Sequence, residues 1–389
     1  MSVLRDLSLS AVVAGFVTVL VGFTSSAVIV FQAANAVGAG PAEIASWMWA
    51  LGLGMGLTCI GLSLRYRMPV VTAWSTPGAA MLITGAAGVS LAEVTAAFMV
   101  SGLLIAIVGF SGWFERAINR IPISIAAGML AGVLLRFGLE LFVVMKAQFL
   151  MVFAMFAIYL VMRRLSPRYA VISAFALGIA LAASLGLLHM QSVRLEFARP
   201  VWVTPAISIS SLIGVALPLF IVTMASQNTP GVAVIRASGY AVPISPVIGW
   251  TGVANVIFAP FGAFAINLAA ITAAICMGRE AHEDPRLRYM ASVSAGFFYI
   301  LIGLFGATVG ALFAAFPREL VAAIAGLALI GTIGNGLAAA LSNERHREPA
   351  LVTFLTAASG VTLLGIGSAF WGLMAGGLTL LVLRAMAKN

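Results

Sequence analysis

The sequence predicts an all-α polytopic membrane protein of about fourteen transmembrane segments in a seven-plus-seven inverted repeat, with segments 3 and 10 each a short extended stretch followed by a half-helix. Three observations carry that prediction. First, the 389 residues are 62% hydrophobic and 8% charged, with a mean hydropathy of +1.11. Soluble domains run at about 45–50% apolar and about 25% charged, so this chain has too few charges to cover a water-facing surface. Nucleic-acid binding, secretion as a globular enzyme and disorder are poor readings of it; its partner is a lipid bilayer. Second, the chain divides at charge clusters, prolines and glycine turns into apolar runs near the roughly 20 residues that cross a hydrocarbon layer. Third, its two halves resemble one another.

In order, the expected segments are residues 9–34, 41–64, an interrupted 69–88, 91–110, 122–135, 149–162 and 169–188. A basic stretch at 115–120 separates the fourth from the fifth. A polar connector at 189–204 divides a first repeat (1–188) from a second (205–389). The second repeat offers 207–235, 243–258, an interrupted 259–277, 289–313, 317–341, 350–366 and 370–387. The opening residues are short and mixed, with no small-residue cleavage site after the first apolar run, so that run is expected to be a retained span.

Charge placement agrees with this division. The net charge is +9, and cytoplasmic loops concentrate Lys and Arg. With both termini cytoplasmic, the inner side receives 16 of the 21 basic residues, and the outer side keeps Arg136, Lys146, Arg194, Arg199 and Arg318. Cys59 and Cys276 lie far apart in apolar stretches and read as buried, reduced thiols. No cysteine or histidine spacing supports a metal site, and neither a metal nor a cofactor is expected.

The halves share a polar start, Gly22-Phe-Thr-Ser-Ser-Ala-Val-Ile-Val against Ala225-Ser-Gln-Asn-Thr-Pro-Gly-Val-Ala-Val-Ile. Each has an interrupted segment in third place, and a fifth segment opening with proline and running into Ala/Gly. Seven spans per half is odd, so the second copy enters upside down. Such repeats build secondary transporters with a midplane site between broken helices.

The chemistry is expected at those breaks. In Pro69-Val-Val-Thr-Ala-Trp-Ser-Thr-Pro-Gly, the β-branched start reads as extended, Ser75 or Thr76 as an N-cap, and Pro77 as first-turn proline. A helix starting in mid-membrane leaves unpaired N–H groups and a positive dipole end there, near Gly78, suited to an anion. The tenth segment repeats the design: Pro260 and Gly262 oppose helix, the Ala-rich run from Ala269 favours it, and Phe264 to Asn267 are expected at the second mouth. Ser25, Ser26, Gln227 and Asn228 are intramembrane polar groups that need a partner or a polar cavity. Trp74 or Phe264 would form an aromatic wall, while Trp47, Trp113 and Trp371 read as interfacial anchors. No carboxylate falls at the centre of a core span. Glu140, at the outer end of the fifth, is the candidate proton carrier, with an i,i+4 pair to Arg136 as its bland alternative. No P-loop, catalytic triad or metal motif is present, so the chain is not expected to be an enzyme or an ATP-driven pump.

Thr72-Ala-Trp-Ser-Thr-Pro-Gly-Ala-Ala, Val222-Thr-Met-Ala-Ser-Gln-Asn-Thr-Pro-Gly, Ala269-Ala-Ile-Thr-Ala-Ala-Ile-Cys and Gly365-Ile-Gly-Ser-Ala-Phe-Trp-Gly-Leu resemble the benzoate membrane transporter (BenE-like) family over nearly the whole chain. The resemblance implies a bacterial inner-membrane benzoate:proton symporter, more distantly similar to nucleobase–cation symporters and sulfate permeases. It implies a core domain (1–110 and 205–315) moving against a gate domain (120–188 and 316–389), with a possible homodimer by analogy. The nucleobase symporters carry protonatable glutamates on their eighth and tenth spans, where this chain has Gln227/Asn228 and Asn267. A carboxylate-free pocket suits an anionic substrate, which a fixed carboxylate would repel. An inorganic-anion or nucleobase carrier on the same scaffold, a passive channel and a membrane scaffold are the competing readings.

Overall fold

The computed structural model describes residues 3–86, 88–118, 122–166, 169–188, 197–314, 316–361 and 368–386. The first half runs α1 (Leu9–Ala36), α2 (Pro41–Tyr66), β1 (Thr72–Ala73), α3 (Thr76–Gly85), α4 (Leu91–Phe110), a short α5 (Trp113–Ile118), α6 (Ile123–Val143), α7 (Phe149–Leu165) and α8 (Ala170–Ser184). The second half begins with α9 (Ile209–Ser211), α10 (Leu217–Thr223) and α11 (Thr229–Ala237), joined end to end by the π-turns Leu212–Ala216 and Met224–Asn228. It continues with α12 (Ile244–Phe258), β2 (Asn267–Leu268), α13 (Ile271–Met277), α14 (Tyr289–Ala314), α15 (Arg318–Leu341), α16 (Arg347–Ala358) and α17 (Ser368–Met386). Among the described residues, six helical stretches are long and apolar enough to cross a bilayer, including Pro41–Tyr66, Leu91–Phe110 and Arg318–Leu341. The protein is a helical polytopic membrane protein.

Local chemistry sets the helix ends. Ser8 caps α1 by accepting the Ala11 amide, Pro41 opens α2, and Ser90 with Glu93 forms a reciprocal capping box on α4. The fifth expected span extends further than its sequence suggested, to Val143, because Arg136 and Glu140 sit on an uninterrupted helix. Both π-turns fall just ahead of a proline, Pro218 and Pro230. Proline lacks the N–H that an α-turn would use, and its ring collides with the carbonyl four residues back; widening the turn removes both conflicts. The eighth expected segment is therefore one helical path with two wide turns.

Small residues bring the long helices together. A Cβ built on Gly52 of α2 would lie 2.5 Å from Cα of Gly303 on α14, and one on Gly56 would lie 2.7 Å from the Gly296 carbonyl. The α4–α12 pair uses the same device: a Cβ on Gly109 would lie 2.3 Å from the Gly249 nitrogen, and one on Gly252 the same distance from that of Ala106. Backbone-to-backbone contact of this kind replaces the hydrophobic drive that helices lack in lipid. Elsewhere α1 packs on α14, α3 and α13, while α6 packs on α15, α16 and α11 and α7 on α8 and α15. Cys59 and Cys276 are both buried and free, as the sequence indicated.

One tryptophan departs from expectation. Trp47 is 2% exposed and packs edge-on against Phe98 and obliquely against Phe264, at 5.4 and 5.6 Å between ring centroids. Gly262, at φ +102°, presses its backbone onto the same indole: a Cβ there would lie 1.8 Å from Cδ1. Trp47 is a core residue rather than an interfacial anchor, because the loop before β2 folds back over it. Trp113 is 64% exposed, in keeping with a surface position.

Candidate functional site

The two interrupted segments meet. β1 and β2 pair antiparallel, with Thr72 opposite Leu268 and Ala73 opposite Asn267, and the Ala269 amide extends the ladder to the Val71 carbonyl at 2.9 Å. Each strand leads within a few residues into a half-helix, α3 or α13, so the antiparallel pairing sends the two half-helices away in opposite directions from a shared crossing. Both helix N-termini, with their positive dipole ends, therefore lie at this crossing.

A two-residue sheet inside a membrane protein exposes edges that water would normally satisfy, and each unpaired group there costs several kcal/mol. Neighbouring helices cover those edges with side chains. Along β1, Ser63 of α2 both donates to the Val70 carbonyl (3.0 Å) and accepts from its amide (3.1 Å). The Thr72 amide donates to Cys59 Sγ at 3.1 Å, and its hydroxyl meets the Thr58 hydroxyl at 2.7 Å. On the β2 side, Asn255 of α12 clamps both backbone groups of Ile266, accepting from its N–H at 2.6 Å and donating to its carbonyl at 2.9 Å. Asn228, in the second π-turn, accepts the Leu268 amide at 2.9 Å and turns its NH2 to Met224 Sδ at 3.1 Å. Sequence reasoning missed Thr58, Ser63 and Asn255, because a single polar residue on an apolar helix carries no sign of the backbone it will meet.

Ser75 is the N-cap of α3, accepting the Gly78 amide at 3.0 Å, with Pro77 in the first turn as the sequence indicated. Gly78 is buried, and a Cβ on it would meet Leu219 Cδ1 at 2.8 Å. Proline has no N–H and Gly78 is taken, so Thr76, half-buried, presents the first-turn amide that the helix itself leaves unused. α13 begins at Ile271 from Ala270, with no side-chain cap. The second mouth therefore lies at residues 270–273, beyond the expected 264–267, because residues 265–269 take extended and left-handed backbone before helix can start. Ala265 sits at φ +47°, an unusual conformation for a residue with a Cβ.

The expected aromatic wall divides. Trp74 is 5% exposed; its Nε1–H donates to Ser26 Oγ at 2.9 Å, and its ring meets Phe23 edge-on at 6.0 Å. Ser26 in turn donates to the Gly22 carbonyl, tying β1 to α1. Phe264 is fully buried between Trp47 and Phe98, so its ring serves the core and presents no wall to the crossing. The Ser25 side chain lies outside the described residues. Asn228, expected to hydrogen-bond a substrate, commits its amide oxygen to the strand. Gln227 beside it is half-buried and makes no side-chain hydrogen bond among the described residues. Asn267, fully buried, donates to the Ala265 carbonyl at 2.7 Å and leaves its Oδ1 without a partner. That acceptor wants a donor, which a carboxylate lacks and a carboxylic acid or a water supplies.

Glu140 is not brought to the crossing. Its carboxylate lies 3.8 Å from Arg318, which is 87% exposed, and not one turn back against Arg136. Packing of α6 along α15 sets the end of one beside the start of the other, which selects that partner.

Half-helices meeting at a polar-clamped break inside an apolar bundle define the class: a membrane transport protein, in which irregular backbone at depth is tolerated only where protein buries it or it lines a path. The profile of the family described as "Benzoate membrane transport protein" (BenE) matches residues 5–382, and the chain belongs to that family. The chain is 49% identical over 376 residues to "Inner membrane protein YdcO" of Escherichia coli, covering 97% of this chain and 96% of that one. It is 42% identical over 379 residues to the "Benzoate membrane transport protein" of Acinetobacter baylyi, with the same coverage. Among solved structures it is similar to a murine Solute Carrier 26 family anion transporter in the inward-facing state (TM-score 0.49, 11% identity, 99% of this chain and 69% of that one). It is also similar to the transmembrane domain of a cyanobacterium bicarbonate transporter, BicA (TM-score 0.46, 14% identity, 96% and 98%).

Proposed function

We propose that this protein imports benzoate or a related aromatic carboxylate across the bacterial inner membrane together with a proton. The chain makes fourteen crossings in two inverted seven-span repeats, with both ends cytoplasmic, and a core of residues 1–110 and 205–315 moves against a gate of residues 120–188 and 316–389. The observation that carries this reading is the strand crossing from which α3 and α13 both start, with no fixed carboxylate among its clamping residues. Two positive helix ends attract an anion without a buried lysine or arginine. Family membership and the printed name of the Acinetobacter relative support benzoate as the guest. In this reading the carboxyl group sits against the Thr76 and Ile271–Ala273 amides, with Gln227, Ser75 and the Asn267 oxygen nearby and the Trp74 indole flanking the ring. A water held beside the carboxylate gives Asn267 Oδ1 the donor it wants.

Uptake of radiolabelled benzoate into proteoliposomes under an inward proton gradient tests the reading. The expected outcome is accumulation above empty vesicles, competed by aromatic acids and not by uracil, sulfate or bicarbonate. Uptake equal to empty vesicles rejects it, and flux without accumulation against a gradient replaces it with a channel. A carrier role for Glu140 requires that Glu140→Gln lose pH-driven accumulation.

A further inference from the structure

Glu280 stands in the turn after α13, three residues beyond Met277. It is a largely buried carboxylate: its side chain is 12% exposed, while Arg163 of α7, its ion-pair partner at 3.8 Å, is 44% exposed. That separation is too long for a hydrogen bond. Arg163 already donates to the Tyr159 hydroxyl on its own helix and lies over that ring. On the third side the carboxyl rests against the backbone of α15, since a Cβ on Gly331 would meet Glu280 Oε1 at 2.7 Å. Any larger residue at Gly331 would displace it. Among the described residues, Arg279 in the same turn and Arg288, just ahead of α14, also act on Glu280; Arg288 spends its guanidinium on the carbonyls of Met277, His282 and Glu283. A carboxyl is thus seated between two elements of the proposed gate, α7 and α15, on the turn that follows a half-helix of the proposed core. The other end of that half-helix, about 10 Å away at 1.5 Å per residue, is the strand crossing.

We infer that Glu280 is a proton-exchange site of this transporter: it holds a proton while packed between α7 and α15 and yields it to water when those surfaces part. The inference rests on the proton-symport reading above and supplies a residue for it. When the surfaces part, the carboxyl O–H bond breaks, the electron pair stays on the carboxylate, and the proton passes to water on the inner face. The direction follows from linkage. Burial raises the Glu280 carboxyl above its ordinary value, against the pull of its backbone hydrogen bond and of Arg163, Arg288 and Arg279. The packed arrangement therefore binds a proton more tightly than the parted one, so falling pH favours packing and rising pH favours parting. An ordinary salt-bridge latch would behave in the opposite way, since it would be strongest when Glu280 is ionised.

The test is a pair of nitroxide labels at Leu165 on α7 and Glu283 in the turn, read by pulsed electron resonance across the range in which carboxylates and histidines titrate. In the otherwise unaltered protein the short-distance population should fall as pH rises. Glu280→Gln, permanently neutral, should hold the short distance at every pH. Arg163→Gln should move the midpoint to higher pH by about one unit or more, the usual effect of losing an opposite charge within about 4–6 Å. A distance independent of pH, or a Glu280→Gln variant fixed at the long distance, overturns the inference. The same variant in proteoliposomes separates it from the substrate reading. Benzoate accumulation that keeps its full dependence on the proton gradient in Glu280→Gln rejects Glu280 and leaves the substrate assignment standing. Absent benzoate uptake with intact pH-dependent distances rejects the substrate assignment and leaves Glu280 standing.

Discussion

Asn228 and Asn255 are the residues on which the crossing depends most directly. Each is fully buried and each hydrogen-bonds the backbone of the β2 segment. Asn255→Ala orphans both polar groups of Ile266, and each buried group left unpaired costs about 1–3 kcal/mol. The expected outcome is a clear loss of melting temperature in detergent, larger than for Asn228→Ala, which orphans the Leu268 amide alone. Equal melting of Asn255→Ala and the parent protein would show that the clamp is dispensable. At this scale the sequence was partly legible. A cap ahead of Pro77 was legible at Ser75 or Thr76, and the hydrogen bond from the Gly78 amide selects Ser75. Asn228 was visible as a polar residue in an apolar run, but its partner lies 40 residues away in the chain, and no local pattern encodes such a contact. Phe264 and Trp47 were misread for the same reason: an aromatic ring looks alike in sequence whether it faces a ligand, a lipid headgroup or another ring.

Elements show a different balance. Interruption of the third and tenth segments was readable because Pro, Gly and β-branched residues act locally. That the two interruptions pair as strands was not readable, since two-residue strands have no periodicity to detect. The π-turns before Pro218 and Pro230 also escaped notice; each adds a residue to a turn and so rotates the helix beyond it by about 100° relative to an unbroken α-helix. Helix pairing through glycine is the element-scale feature most exposed to mutation. Gly252→Val would drive a side chain into the Ala106 backbone and part α4 from α12. Overpacking of a tight interface costs about 1–3 kcal/mol or more. Gly61→Val, on the same class of long helix but with open space around its Cβ position, is the matched comparison. Gly252→Val is expected to lower detergent stability markedly and Gly61→Val to leave it nearly unchanged; a common effect would count against the packing account.

For the whole molecule, composition and charge placement made the membrane class readable before any element was assigned, because so few charges leave no other solvent for the chain. Ties between distant elements were not readable. Glu115 of α5 shows this: its carboxylate accepts from the Ile244 and Ser245 amides and the Ser245 hydroxyl, fastening the short surface helix to the start of α12. Burial opposes its ionisation, but those hydrogen bonds and the nearby Arg236 outweigh burial and hold its carboxyl below the ordinary value of 4.5. Its contribution to stability is therefore complete above that value and disappears as pH falls through the lowered one. The acid-induced loss of melting temperature should be steeper in the parent protein than in Glu115→Gln, and parallel curves would rule the tie out.

Consider finally the stitched edges of the little two-stranded junction. Its margins are fastened to α2, to α12 and to the wide turn ahead of α11, through hydroxyl, thiol and amide groups shut away from water. That junction cannot be remoulded without tearing several of those stitches at once. The junction is thereby joined to α2, α12 and the start of α11 as one piece.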